Sequence, residues 1–373
     1  MSSRAVRLRV TLPDLADEAA YGAAVVASLD EHPSRVVIPA HDGTIEALRS
    51  NREAISERAA LALAPEHALA IAVSKSRTLA LATALGLLVP RTISVESPND
   101  AAAAIRDLGL PVVVKPVRSW VGRIGERRRI ASWLAHSLPE AEAAIVRIAA
   151  AGGEALLQHW LSGRREAVSL LVAGGVVRAR FAQTSYREFP ALGGASVLCE
   201  SLPLSDEIVG PAERLVLAMG LEGPSMTEFR RDERGKPMLM EVNPRMAGSV
   251  GLAVRCGVNF PRLTYSWAAG EPLVEMTTYR TARRSRWLAG DLWNLRKSFE
   301  SPGAPDVPGR ASALTRFMAD FVRRPSAIEP FDLRDPLPAF VEFRRNLFGP
   351  MRRRIGRVIG RRARAAWQTE GSL

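Results

Sequence analysis

The 373 residues are 47% hydrophobic and 24% charged, enough for two or three structural units, with no apolar stretch near the roughly 18–20 residues of a membrane span. The formal charge of +12 is uneven: nine Arg and no acid lie between Arg344 and Arg364, leaving +3 for the rest. That distribution argues against a nucleic-acid groove across the main fold and confines polyanion contact to the C-terminus.

The opening MSSRAVRLRVTLPD alternates Arg with Val and Leu instead of building a signal peptide, so the expected location is the cytoplasm. Residues 1–72 read as a small α/β unit: a strand near Val6–Val10, a helix through LADEAAYGAAVVASLDEH, a strand SRVVIPA, then helical TIEALRSNREAISERAALAL. A parallel strand pair with a crossover helix is the natural assembly. A helix beginning at SKSRTLALATALG is ended by Gly86 and Pro90, and the helix PNDAAAAIRDLGL by Gly109. The strand PVVVKP, the loop VRSWVGRIGERRR and a helix from Pro139 to about Ala151 follow. The strand EALLQHWL then enters the turn SGRRE. AVSLLVA and VVRARFAQT meet at Gly174-Gly175, a hairpin signal. REFPALGGAS reads as a loop and DEIVGPAERLVLAMGL as a helix, before strand SMTEFRRD, turn ERGK and strand PMLMEVN. GLAVRCGVNFPRLTYSWAAG looks helical, and SPGAPDVPG marks a linker or surface loop in a less regular C-terminal third. Cys199 and Cys256 have no metal-type spacing and read as free thiols.

The last hairpin carries chemistry. Side chains alternate along a strand, so Glu241 and Asn243 share one face. Folding about the four-residue turn pairs Glu228 with Glu241 and sets an amide beside two opposed carboxylates. Like charges so placed repel unless a cation lies between them. Oxygen ligands without Cys or His suit Mg²⁺, which takes one or two carboxylates plus water and substrate phosphates; the same acids also fit a solvated edge near Arg230 and Arg231. The chain avoids lysine, having only Lys75, Lys115, Lys236 and Lys297. Lys115 ends an apolar strand and should point into a polar cleft, where an ammonium suits phosphate oxygens, with Gly122 and Gly125 following for close backbone approach. Lys75 begins its helix and, on the residues alone, fits an exposed position equally well. In LLQHWLSGRREAVS the backbone at the strand-to-turn junction is able to meet an adenine edge, and Glu166 beyond it to hold ribose hydroxyls.

In order and spacing, Lys75, VVVKP, LLQHWLSGRRE, PALGGAS, SMTEF and MEVNPRMAGS resemble the ATP-grasp superfamily, close to its carbamoyl-phosphate-synthase-like, carboxylate-amine ligase branch. The resemblance implies an α/β and α+β chain: two α+β lobes gripping ATP over residues 73–275, behind a partial pre-ATP-grasp α/β domain over 1–72, with a C-terminal extension over 276–373. It implies that Lys75 and Lys115 contact phosphates, that Gln158, His159, Trp160 and Leu161 form the adenine-facing hinge, and that Glu166 binds ribose. By the same resemblance Glu228, Glu241 and Asn243 hold Mg²⁺, or Mn²⁺ in its place, and Arg245 steadies the γ-phosphoryl group or an acyl phosphate. His159 stands where many relatives carry an acid.

The implied activity is that of an ADP-forming ligase: a small-molecule carboxylate attacks the γ-phosphorus, and an amine, less often a thiol, displaces phosphate from the acyl phosphate. A homodimer is compatible with this. The REFPALGGAS loop fits a lid over that intermediate or a plain surface loop. Two alternatives stay open, a bicarbonate-phosphorylating enzyme and a non-catalytic ATP-binding protein. In the tail, Met351, Ile355, Val358 and Ile359 recur at helical spacing among Arg352, Arg353, Arg354, Arg357 and Arg361. That basic amphipathic pattern fits a solvated terminal helix or peripheral contact with an anionic membrane.

Overall fold

The computed structural model describes residues 3–122, 127–189, 194–300, 308–322 and 326–344. Among these, the residues of Val10–Ser285 form one unit and those of Met1–Arg9 and Arg286–Leu373 another.

The larger unit opens with α1 (Glu18–Glu31), whose first turn is held by the Asp17 carboxylate accepting from the Ala20 amide at 2.9 Å. Strands β1 (Val36–Val37) and β2 (Ala60–Leu61) are parallel, with α2 (Asp42–Arg49) and α3 (Arg52–Ser56) between them. The expected parallel pair therefore exists, but its second strand lies inside the stretch read as helical. No strand forms at Val6–Val10: its Arg and apolar side chains alternate, yet Leu8 and Val10 stay 53% and 47% exposed, with no apolar face buried to hold a strand. Helices α4 (Glu66–Ala72) and α5 (Lys75–Ala84) follow, and Ser74 caps α5 by accepting from the Arg77 amide.

The next segment builds a four-stranded antiparallel sheet from β3 (Thr92–Val95), β4 (Val112–Pro116), β7 (Trp133–Ala135) and β8 (Ala155–His159), in the order β3-β8-β4-β7. The short pair β5 (Trp120–Val121) and β6 (Arg128–Arg129) lies between β4 and β7 in the chain. Val112, Val114 and Leu157 pack with the apolar stripes of α6 (Ala101–Leu108) and α7 (Leu138–Ala150). Strand alternation consequently turns Val113, Lys115, Leu156 and Gln158 to the opposite face.

Five long antiparallel strands run side by side in the second sheet: β9 (Arg165–Ala173), β10 (Val176–Phe189), β11 (Ala195–Leu202), β12 (Gly223–Arg231) and β13 (Pro237–Asn243), in the order β13-β12-β9-β10-β11. Gly174 and Gly175, with φ of 63° and 72°, close the β9–β10 hairpin in a left-handed turn that other residues resist. On one face Val168, Leu170, Val172, Phe229, Leu239 and Val242 bury against α4, α5 and α8 (Asp206–Ala218). On the other, Leu171, Ala179 and Phe181 meet α9 (Val250–Cys256) and α10 (Phe260–Ala268), which Gly257 separates at φ 111°. The REFPALGGAS stretch is strand at both ends, Arg187–Phe189 and Ala195–Ser196; its tip at 190–193 lies outside the described residues.

In the smaller unit, α11 (Leu288–Glu300) and α12 (Arg310–Val322) are joined by Arg286, 1% exposed, which donates to Asp291 at 2.6 Å and to the Phe317 carbonyl at 3.1 Å between the rings of Phe317 and Phe321. The SPGAPDVPG linker up to residue 307, and the basic tail from 345, lie outside the described residues. Among the described residues no helix is long and apolar enough to cross a membrane.

Candidate active site

The β12–β13 hairpin sets Glu228 opposite Glu241, as expected, though by a different route. Arg231 pairs with Pro237, so the connection is five residues, Asp232–Lys236, and the register shifts by one between Phe229–Leu239 and Glu228–Glu241. Met240 is the extra residue. This bulge swings Glu241 to the face opposite Leu239, although the two are only two positions apart.

Asn243 donates its amide to Glu228 Oε1 at 3.4 Å and to Glu241 Oε1 at 3.3 Å, joining the three oxygen-bearing side chains in one cluster. Lys75 Nζ lies 3.7 Å from Glu241 Oε2 and donates to Ser119 Oγ at 2.8 Å, tying the start of α5 to the loop after β4. Lys115, 9% exposed, faces the same charges. Burial pushes its ammonium down to about 8; Glu241 opposes that, and Lys75 adds to it. Glu241 shows the reverse balance: burial raises its carboxyl, but Lys75 and Lys115 outweigh burial and hold it at about 2. Glu228 is raised by burial against the pull of Arg165. Arg245 donates to Asp42 Oδ1 at 2.6 Å and to Asn243 Oδ1 at 3.3 Å, so α2 also reaches the cluster. A cleft opens here, lined among others by Asp42, Lys75, Ser119, Trp120, Glu241 and Asn243.

The hinge residues divide. Gln158, 1% exposed, donates to Thr92 Oγ1 at 2.9 Å, and its Oε1 is buried without a partner. His159 turns to the helix side, its Nδ1 3.0 Å from the carbonyl of Leu108, so its ring serves packing on α6. Trp160 lies under the Arg230 guanidinium at 5.3 Å, and Leu161 is buried. Gly163 passes so close to β12 that a Cβ would come within 2.1 Å of the Arg231 carbonyl oxygen. Glu166 does not join the cluster. Alternation along β9 places it with Val168 and Leu170 on the α8 face, where Arg231 Nε donates to both its oxygens at 3.1 Å and Arg231 also binds Glu207. The side chain that β9 presents to the cluster is Arg165, missed from sequence because a run of two arginines beside an acid looks like a solvated turn. Its Nη1 lies 3.5 Å from Glu228 Oε2 and its Nε 3.3 Å from Glu188 Oε1.

Among the described residues no three His, Cys, Asp or Glu side chains gather as a metal site. The donor set is instead two carboxylates and an amide, hard oxygen ligands that fit a small divalent cation still carrying water.

Comparison with known proteins agrees with this architecture. The family model "ATP-grasp in the biosynthetic pathway with Ter operon" matches residues 156–290. D-alanine–D-alanine ligase B of Pseudomonas syringae pv. tomato is 30% identical over 209 residues, 52% of this chain and 63% of the relative. The D-alanine–D-alanine ligase of Pseudomonas entomophila is 28% identical over the same share. The chain thus spans less than two thirds of the length of these relatives. Among solved structures, a biotin carboxylase βγ-ATP complex from Campylobacter jejuni superposes with TM-score 0.60 at 15% identity, covering 70% of this chain and 60% of that one. The L-amino acid ligase from Bacillus licheniformis gives 0.55 at 22%, covering 74% and 66%. The fold is that of the ATP-grasp proteins.

Proposed function

We propose that the chain is an ATP-dependent ligase that phosphorylates a small-molecule carboxylate and couples it to an amine, releasing ADP and phosphate. The observation that carries this reading is the clustering of Glu228, Glu241 and Asn243 with Lys75, Lys115 and Arg245, beside a cleft that Lys75, Glu241 and Asn243 line. The named ligase activities of the curated relatives support it.

Bound by Glu228, Glu241 and Asn243, Mg²⁺ or Mn²⁺ would neutralise charge between the β- and γ-phosphates of ATP. The protein's own groups do the rest. Lys75 and Lys115 supply point charges for phosphate oxygens, Lys115 being buried where such a charge is weakly screened. The hinge backbone at Gln158–Leu161 receives the adenine edge. Arg245, held by Asp42, faces the end of β13 and steadies the transferring phosphoryl group and the acyl phosphate that forms as the carboxylate oxygen bonds to phosphorus and ADP leaves. An amine then attacks the acyl carbon and expels phosphate, losing a proton on the way. In this reading residues 73–275 are the ATP-grasp domain.

An ADP-release screen over carboxylates, with and without amine acceptors and with bicarbonate as a separate arm, tests the reading. Release that requires an organic acid and yields an amide supports it; release with bicarbonate alone replaces it by carboxyphosphate formation. Glu241→Gln should reduce turnover at least a hundredfold while the thermal unfolding profile persists, and equal turnover in variant and wild type would remove the metal assignment.

We further propose that the C-terminal part contacts anionic membrane. Leu314, Met318, Phe340 and Phe343 are 46–64% exposed in the smaller unit, and the nine arginines at 344–364 add charge complementary to anionic headgroups. Flotation with vesicles containing phosphatidylserine, compared with neutral vesicles, decides it: no enrichment on the anionic ones ends the idea.

A further inference from the structure

Glu241 and Glu228, the two opposed carboxylates, each hold a basic side chain. Lys75 stands 3.7 Å from Glu241, and Arg165 stands 3.5 Å from Glu228. The two pairs are alike in distance and charge, yet of these two basic side chains the family resemblance assigns only Lys75 to phosphate.

Arg165 is also built in. Its side chain is 12% exposed. Nη2 donates to Ser196 Oγ at 2.6 Å and Nη1 to the Gly194 carbonyl at 3.0 Å, while Nε lies 3.3 Å from Glu188. Glu188 in turn is bound by Arg230 at 3.2 Å. The guanidinium is therefore fixed from β10 and β11 independently of Glu228, and Glu188 keeps it charged whatever Glu228 does. A divalent cation held by Glu228 would compete with Arg165 for that carboxylate, and an anionic oxygen would then be the matching partner for Nη1.

We propose that Arg165 contacts a phosphoryl oxygen of the bound nucleotide, as a counterpart of Lys75 on the other side of the carboxylate pair. This rests on the nucleotide reading of the cleft. Arg165 then has two partners in turn: Glu228 before the ligand binds, phosphate after. Glu188 and Ser196 keep it in place through the exchange.

The test compares ADP and adenosine binding by calorimetry, and Mn²⁺ binding without nucleotide by electron paramagnetic resonance, in wild type, Arg165→Met, Arg165→Lys and Ser196→Ala. Arg165→Met should weaken ADP about tenfold, the scale of one charge-assisted hydrogen bond, and leave adenosine within about twofold. It should bind Mn²⁺ no more weakly than wild type, because a cation beside Glu228 has been removed. Arg165→Lys should recover most of the ADP affinity. Ser196→Ala, which disturbs only an anchor, should lose about threefold for ADP alone; with Arg165→Lys it carries the test should Arg165→Met fail to fold. ADP and adenosine weakened alike, or ADP unchanged in a wild type that binds it, overturns the proposal. A wild type that binds no ADP overturns both this and the nucleotide reading.

Discussion

Lys115 and Glu241 show how one cleft moves two groups in opposite senses. Lys115 titrates near 8 because burial penalises its charge more than Glu241 repays. Its proton is lost at lower pH in the folded chain than in the unfolded one, so the position costs stability below pH 8, and the cost is relieved as pH rises from 8 toward the ordinary lysine range. Nucleotide phosphate favours the charged form. Binding of ADP at pH 8–9 should therefore take up protons, seen as a dependence of the calorimetric heat on buffer ionisation enthalpy, and affinity should fall as pH rises through 8. Lys115→Arg, charged throughout, should bind with no proton uptake. Glu166 lies on the opposite face, clamped by Arg231. Glu166→Gln should cost about 1–2 kcal/mol in denaturant unfolding, since Arg231 is partly exposed and keeps Glu207, and should leave ADP affinity within about twofold. A tenfold loss of ADP affinity would support a ribose role for Glu166.

At the scale of elements, the hinge depends on close passage of backbone past backbone. Gly163→Ala forces a Cβ against the Arg231 carbonyl, so unfolding should be easier by about 1–3 kcal/mol, with weaker ADP binding because Trp160 and Leu161 shift with the loop. Unchanged stability and affinity would show that β12 yields freely. The same elements show what was legible in the sequence. Alternation and the glycine hairpin gave β9, β10, β12 and β13, since each has one apolar face with period two. β11 escaped because ASVLCESL follows a Gly- and Pro-rich run, and its burial comes from β10 beside it. Counting across a four-residue turn pairs Glu228 with Glu241. The molecule reaches it with five residues and a bulge at Met240, which alternation cannot reveal. Arg165 and Glu166 are adjacent, and which of them faces the carboxylate cluster follows from the register of β9, set by strands far away in sequence.

Over the whole molecule, charge is divided between a nearly balanced body and an arginine-rich end. If the division is functional, a chain ending at residue 344 should keep its ADP affinity within about twofold and lose flotation with anionic vesicles; loss of both would tie the end to the cleft. Salt should weaken vesicle association steeply and nucleotide binding far less, because the cleft charges are buried and the terminal arginines face no acid within their own run.

The Asp42–Arg245 ion pair joins the first helix after β1 to the residue just past β13, and the amide of Lys75 is bonded to the carbonyl of Val117. A fragment starting at residue 73 would leave the Arg245 guanidinium, 16% exposed, beside Asn243 without its counter-ion. Recombining the leading seventy-odd residues with those of a relative should loosen Arg245 wherever no acid stands at position 42, so one carboxylate constrains exchange between such proteins.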